Sequence, residues 1–125
     1  MSQAVPKDAR ALIAVHIHSV AQLEVLLYMR ERGNEILTAQ AVARAHAIAE
    51  EMATHLLVDL AERGFLKALS DGFKYDPRGK LSIQVDSLAR SYAIYRVAII
   101  NLIFSGPRAD VQSFADAFRV RKDDS

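Results

Sequence analysis

Apolar residues recur along this chain with a period that changes from segment to segment, and the changes mark the expected elements. Over residues 19–32, Val20, Leu23, Leu27 and Met29 or Arg30 follow one another at helical spacings, and Val25 and Leu26 widen the apolar face. Ser19 and Gln22 form a capping box at the start of this helix, and Gly33-Asn34 ends it. Thr38 is the next N-cap, because its hydroxyl can accept from the amides that open a helix. A short helix over 39–45, a turn at His46, Ala47 and Ile48, and a longer helix over 49–63 follow, with Gly64 as the left-handed stop. Val42, His46, Ile48, Ala53, Leu56, Leu57, Leu60 and Phe65 are spaced as the inner face of that helix pair. Phe65, Leu66 and Leu69 then read as a strand. Ser70-Asp71-Gly72 is a tight turn with glycine where positive φ is needed, and Phe73, Lys74 and Tyr75 begin the return strand. Pro77 ends it, inside a loop over 76–80.

The two ends follow other patterns. Ile13, Val15 and Ile17 alternate within residues 12–17, which fits a short strand or extended arm; a helical lead-in fits nearly as well. Leu81, Val85, Leu88, Tyr92, Tyr95, Ile99 and Leu102 recur at alternating spacings of 4 and 3, a heptad seam on one long helix. Its second half is apolar on the other side too, through Ile94, Val97, Ala98, Ile100, Ile103 and Phe104. A helix apolar all round must be buried all round, so a second copy of the same helix is the simplest partner for the face the core does not cover. Gly106-Pro107 stops this helix. A last short helix would place Val111, Phe114, Ala115 and Phe118 on one side, before the charged tail RVRKDDS.

Composition narrows the function. The length fits one domain, and half the residues are apolar, enough for a packed core. With no cysteine, disulfides and thiol catalysis are excluded, and a cytoplasmic location is the expectation. No apolar run approaches the roughly 20 residues of a membrane helix, and MSQAVPKDAR does not read as a signal peptide. The net charge is only +1, so any binding to nucleic acid must come from a local basic patch.

The stretch TAQAVARAHAIAEEMATHLLVDLAERGFL and the hairpin after it resemble the winged helix-turn-helix superfamily of bacterial transcription regulators, with a core like that of the MarR, ArsR and IclR groups. The resemblance implies a mostly α fold with a small β-hairpin wing. It divides the chain into an N-terminal arm over 1–18, a winged helix-turn-helix domain over 19–80 and a C-terminal helical dimerisation segment over 81–125. Two residues depart from the pattern. Ala47 stands where the turn usually has glycine, and Ala49 where a Ser or Thr cap is usual, a loss of up to about 1 kcal/mol of helix stability.

In that family pattern the front of the longer helix enters the major groove. Carried over, the outward residues are Glu50, Glu51, Thr54, His55, Val58 and Asp59, with Met52 beside them. The glutamates suit a helix N-terminus but repel phosphate, and the side chains that most often read base edges are absent between Ala49 and Leu60. Thr54 and His55 remain as possible contacts. Arg44, Lys67, Lys74, Arg78 and Lys80 can grip the backbone without reading sequence, or be ordinary solvated charges. Two functions therefore compete. One is a homodimeric DNA-binding transcriptional regulator, with Leu81, Val85, Leu88, Tyr92, Tyr95, Ile99 and Leu102 as its dimer seam and double-stranded DNA as its partner. The other is a degenerate winged-helix protein–protein interaction module that uses the acidic longer helix or the apolar C-terminal helices.

Other chemistry finds little footing. His16, His18, His46 and His55 lack the spacing of a zinc motif and read as ordinary histidines, with His46 inward and hydrogen-bonded. No Gly-rich phosphate loop, calcium loop or nucleophile elbow is present. Neither an enzyme nor a cofactor is expected.

Overall fold

A computed structural model describes residues 5–105. The helix expected around Val111, Phe114, Ala115 and Phe118, and the tail after it, lie outside the described residues. Six helices and one antiparallel hairpin follow in the order α1 (Lys7–His16), α2 (Val20–Arg32), α3 (Ala39–His46), α4 (Glu50–Glu62), β1 (Leu66–Leu69), β2 (Gly72–Tyr75), α5 (Leu81–Ile94) and α6 (Arg96–Ser105). The described chain is thus mostly helical with a small two-stranded sheet.

The caps act where the side-chain chemistry places them. Ser19 Oγ accepts from the amide of Gln22 at 3.1 Å, and Thr38 Oγ1 from the amide of Ala41 at 3.1 Å. Two helices end in the same hydrogen-bond pattern. After α4, the Phe65 amide donates to the Leu60 carbonyl and the Gly64 amide to that of Ala61. After α3, the Ile48 amide donates to Ala43 and the Ala47 amide to Arg44. The pivot is left-handed in both: Gly64 at φ 96°, and Ala47 at φ 55°, the sole positive-φ residue other than glycine among the described residues. The sequence departure at Ala47 therefore puts a side chain where the backbone favours none. Ala49, at the start of α4, makes no side-chain cap.

The hairpin pairs Leu66 with Tyr75, Lys67 with Lys74, Ala68 with Phe73 and Leu69 with Gly72. A third strand-like contact was not legible beforehand. Leu37, just before α3, exchanges two 2.8 Å hydrogen bonds with Phe73, which ties the hairpin to the start of α3. Gly72 permits it, since a Cβ there would lie 2.6 Å from the Leu37 carbonyl oxygen.

Two expectations are corrected. Of the two readings of residues 12–17, the helical lead-in holds and the strand or extended arm does not. These residues belong largely to α1, whose Ala9, Leu12 and Ile13 are buried, and α1 packs on α5 and α6. The seam from Leu81 to Leu102 is not one helix either. The chain breaks at Tyr95 (φ −118°, ψ 47°), without glycine or proline. A straight continuation would carry residues 96–105 away from the molecule at 1.5 Å per residue. The break instead lets α6 turn back on α1 and bury Ile99 and Ile103. One apolar core runs from Val5 to Ile103, so α1, α5 and α6 share it with residues 19–80.

Candidate nucleic-acid interface

The α3–turn–α4 unit and the hairpin hold every residue singled out for nucleic-acid contact except Arg78 and Lys80, which lie just beyond β2. Val42, Ala53, Leu57, Leu60 and Phe65 anchor the unit from inside; burying a side chain such as Leu57 or Phe65 is worth about 2–3 kcal/mol. The outer face of α4 presents Glu50, Glu51, Met52, Thr54, His55 and Val58 to solvent. Thr54 Oγ1 donates to the Glu50 carbonyl at 3.0 Å, so its hydroxyl proton is committed within the helix. Asp59 does not belong to this outer face. Its Oδ2 accepts from Gln22 Nε2 at 3.0 Å and from Arg63 Nε at 2.9 Å.

Gln22 is the residue the sequence undersold. It is buried, and its amide makes three bonds. Oε1 accepts from the His18 amide at 2.6 Å, and Nε2 donates to the His16 carbonyl at 2.9 Å and to Asp59. The capping box predicts its backbone bond to Ser19 and a side-chain bond back to the Ser19 amide; the side chain instead accepts one residue further back, from the His18 amide. What fixes α1, α2 and α4 together is the side chain reaching from the cap to Asp59. Arg63 extends this network to His16 Nδ1 at 3.3 Å, and the His16 ring stands edge-on to Phe65 with centroids 5.2 Å apart.

His46 sits half-buried, as expected of an inward position. Its Nδ1 bonds the Val42 carbonyl at 3.1 Å, which places the proton on Nδ1, and its ring meets Tyr28 edge-to-face at 4.9 Å.

Two groups stand out among the basic residues. Arg30, Arg32, Arg63 and Arg96 form ion pairs with Asp86, Glu35, Asp59 and Glu24. Arg44, Lys67, Lys74, Arg78 and Lys80 are in none of these pairs. The register sets Lys67 directly opposite Lys74 on the outer face of the hairpin, while Leu66, Phe73 and Tyr75 take the inner face. Like charges directly across a ladder destabilise it. Arg78 lays its methylenes toward Gly64, where α4 meets the hairpin, and its amide donates to the Gly64 carbonyl at 2.9 Å. Arg44 and Lys80 are exposed.

The proposed dimer seam is corrected by burial. Val85, Leu88 and Ile99 are wholly inside this chain's own core, and Leu81, Tyr92 and Leu102 pack against it. Only Tyr95, at 38% exposed, opens to solvent. The exposed apolar side chains lie on the other faces of the two helices: Ile83 and Ile94 on α5, and Val97 and Phe104 on α6, each 63–70% exposed. Heptad spacing reports that a face is buried, not what buries it.

No single helix among the described residues is long and apolar enough to cross a membrane. Among the same residues, no three His, Asp or Glu side chains are grouped to hold a metal ion. Comparison with protein-family models, with curated proteins and with solved structures finds no match to this chain.

Proposed function

We propose that this chain is a winged helix-turn-helix regulator of transcription that binds double-stranded DNA as a homodimer. The observation that carries the reading is the facing pair Lys67–Lys74, two cations set opposite each other on the outside of the hairpin and in none of the ion pairs among the described residues. Such a pair costs the fold stability and repays it when a phosphate lies between the ammonium groups. The hairpin is the wing in this reading, α3 and α4 are the helix-turn-helix, and the Leu37–Phe73 bridge fixes one against the other. Arg44, Arg78 and Lys80 add backbone contacts, while Thr54 and His55 offer the polar contacts of α4. The acidic start of α4 makes the wing the main source of affinity. Binding is then expected to depend strongly on salt and weakly on sequence.

The second copy docks on the outer apolar face of α5 and α6 in this proposal. Ile83 and Ile94 are eleven residues apart, and Val97 and Phe104 seven, so each pair shares one stripe of its helix. Replacing Val97 and Phe104 with glutamate is expected to give a folded monomer in light scattering.

A second reading is favoured by one specific feature. Met52, 49% exposed, and Val58, 40% exposed, stand beside Glu50, Glu51 and His55 on α4. An acidic face with exposed apolar side chains suits a basic amphipathic protein segment better than DNA. Fluorescence anisotropy of labelled genomic duplex fragments, at low and moderate salt, separates the two. Binding that falls steeply with salt supports the regulator. No binding at low salt, where attraction to phosphate is strongest, leaves the protein-binding module.

A further inference from the structure

An open cleft of about 420 Å³ lies between α2 and α5, and the end of α3 reaches it through His46. That volume is in the range of small-ligand sites. Its floor includes the apolar Leu27, Ala89 and Ala93, and two tyrosines, Tyr28 from α2 and Tyr92 from α5, bring aromatic rings to it. Two carboxylates, Glu24 and Glu31, line it as well. One cation lines it, Arg30, and its Nε is already held by Asp86 at 3.0 Å. Glu24 is likewise held, by Arg96, so the lining charge outside these ion pairs is that of Glu31, and it is negative.

The chain itself shows what these rings accept. The guanidinium of Arg32 lies 4.9 Å from the centre of the Tyr28 ring, and that of Arg96 lies 4.9 Å from the centre of the Tyr92 ring. Glu24 Oε2 accepts from Tyr92 Oη at 3.1 Å and from Arg96 at 3.3 Å. Aromatic faces beside carboxylates attract delocalised or quaternary cations, whose weak hydration makes their transfer from water inexpensive. An anion would instead meet two carboxylates. We infer that this cleft is a binding site for a small organic cation carrying an aromatic or quaternary group, held between the tyrosine rings and Glu24 and Glu31. This inference stands apart from the reading of the hairpin and does not require that the protein bind DNA.

The test uses the full chain and benzyltrimethylammonium, with benzoate and benzyl alcohol as anionic and neutral controls of similar shape. Isothermal titration is expected to give saturable one-site binding of the cation, at least tenfold tighter than the alcohol, and none for benzoate. Amide shifts in NMR should centre on Tyr28, His46 and Tyr92. Glu24→Gln should weaken binding at least tenfold. Because that change also frees Arg96, Glu31→Gln serves as the variant that leaves the fold's ion pairs intact, and it should weaken binding about threefold. Absence of cation binding, equal binding of benzoate, shifts centred elsewhere, or unchanged affinity in both variants would each overturn the site.

Discussion

The junction of α1, α2 and α4 and the β1–β2 hairpin treat charge in opposite ways. At the junction every polar group has its counterpart. Gln22 makes three side-chain bonds, Asp59 receives both Gln22 and Arg63, and Arg63 reaches His16. At the hairpin, Lys67 and Lys74 face each other, and neither is in an ion pair among the described residues. Both arrangements are set by local backbone geometry, one by a helix cap and one by strand register. The difference teaches where selection for the fold ends. A polar group half-removed from water must be paired or the structure loses stability, so the junction is complete. A solvated cation can be left unpaired at small cost, so the hairpin is free to keep charges that only an external partner satisfies.

The sharpest way to break this comparison is to unpair the junction. Gln22→Leu removes three bonds and leaves the His16 carbonyl, the His18 amide and part of Asp59 without them, with an expected loss of about 3 kcal/mol. Urea unfolding measures it. A loss below about 1 kcal/mol would mean that water replaces the side chain readily and that the junction is no tighter than the surface.

The hairpin should respond with the opposite sign. Lys74→Glu sets an ion pair across from Lys67 and is expected to raise stability by roughly 0.2–1 kcal/mol. The same change should weaken duplex binding for all sequences alike, and neutralising both lysines should lower the salt slope by about 2. Stability rising while affinity falls would identify a charge arrangement kept for a partner. If both fall together, the lysines belong to the fold.

What the sequence revealed follows the same division. Patterns with a local cause were legible: the caps at Ser19 and Thr38, the stop at Gly64, and the turn before Gly72 all depend on neighbours within a few residues. Arrangements between distant segments were not. The bridge from Leu37 to Phe73 leaves only the pair Ile36-Leu37 between two helices as its trace. Gln22 bonds Asp59 across 37 positions, which no cap pattern encodes. The break at Tyr95 has no glycine or proline to announce it and follows from how Ile99 and Ile103 reach the core. The candidate site divides likewise. The hairpin lysines could be named from sequence, but that Val85, Leu88 and Ile99 serve the core rather than an open seam required the tertiary fold.

Tyr75 offers a finer probe of pairing, because it is the exception inside. Its hydroxyl is buried with no hydrogen-bond partner among the described residues, and burial, with Asp86 nearby, pushes its pKa up to about 12. A raised pKa means that the folded state holds the proton more tightly than the unfolded state. Its contribution is therefore fully present below pH 10 and is lost as pH rises through about 12. Tyr75→Phe removes the unsatisfied group and is expected to stabilise by about 1 kcal/mol at neutral pH. It should also flatten the fall in stability between pH 10 and 12. A destabilised variant with an unchanged alkaline slope would mean that the hydroxyl is paired in solution.

Another small effect tests whether the turn between α3 and α4 is strained by its own side chain. Ala47 holds φ 55° and ψ 45°, where a Cβ costs about 1–2 kcal/mol in an L-residue. Glycine would remove that cost but give the unfolded chain more freedom, a loss of about 0.4–1 kcal/mol. The balance is a gain of about 0–1.6 kcal/mol for Ala47→Gly, measured as a shift in urea midpoint at unchanged slope. Valine at the same position adds β-branching to a left-handed residue and should destabilise clearly. The two variants together separate backbone strain from packing, since Ala47 is exposed and has little packing to lose. If glycine destabilises by more than valine, the side chain is a contact rather than a burden. The turn would then resemble the junction, where each group is held, and not the hairpin, where charges wait for a partner.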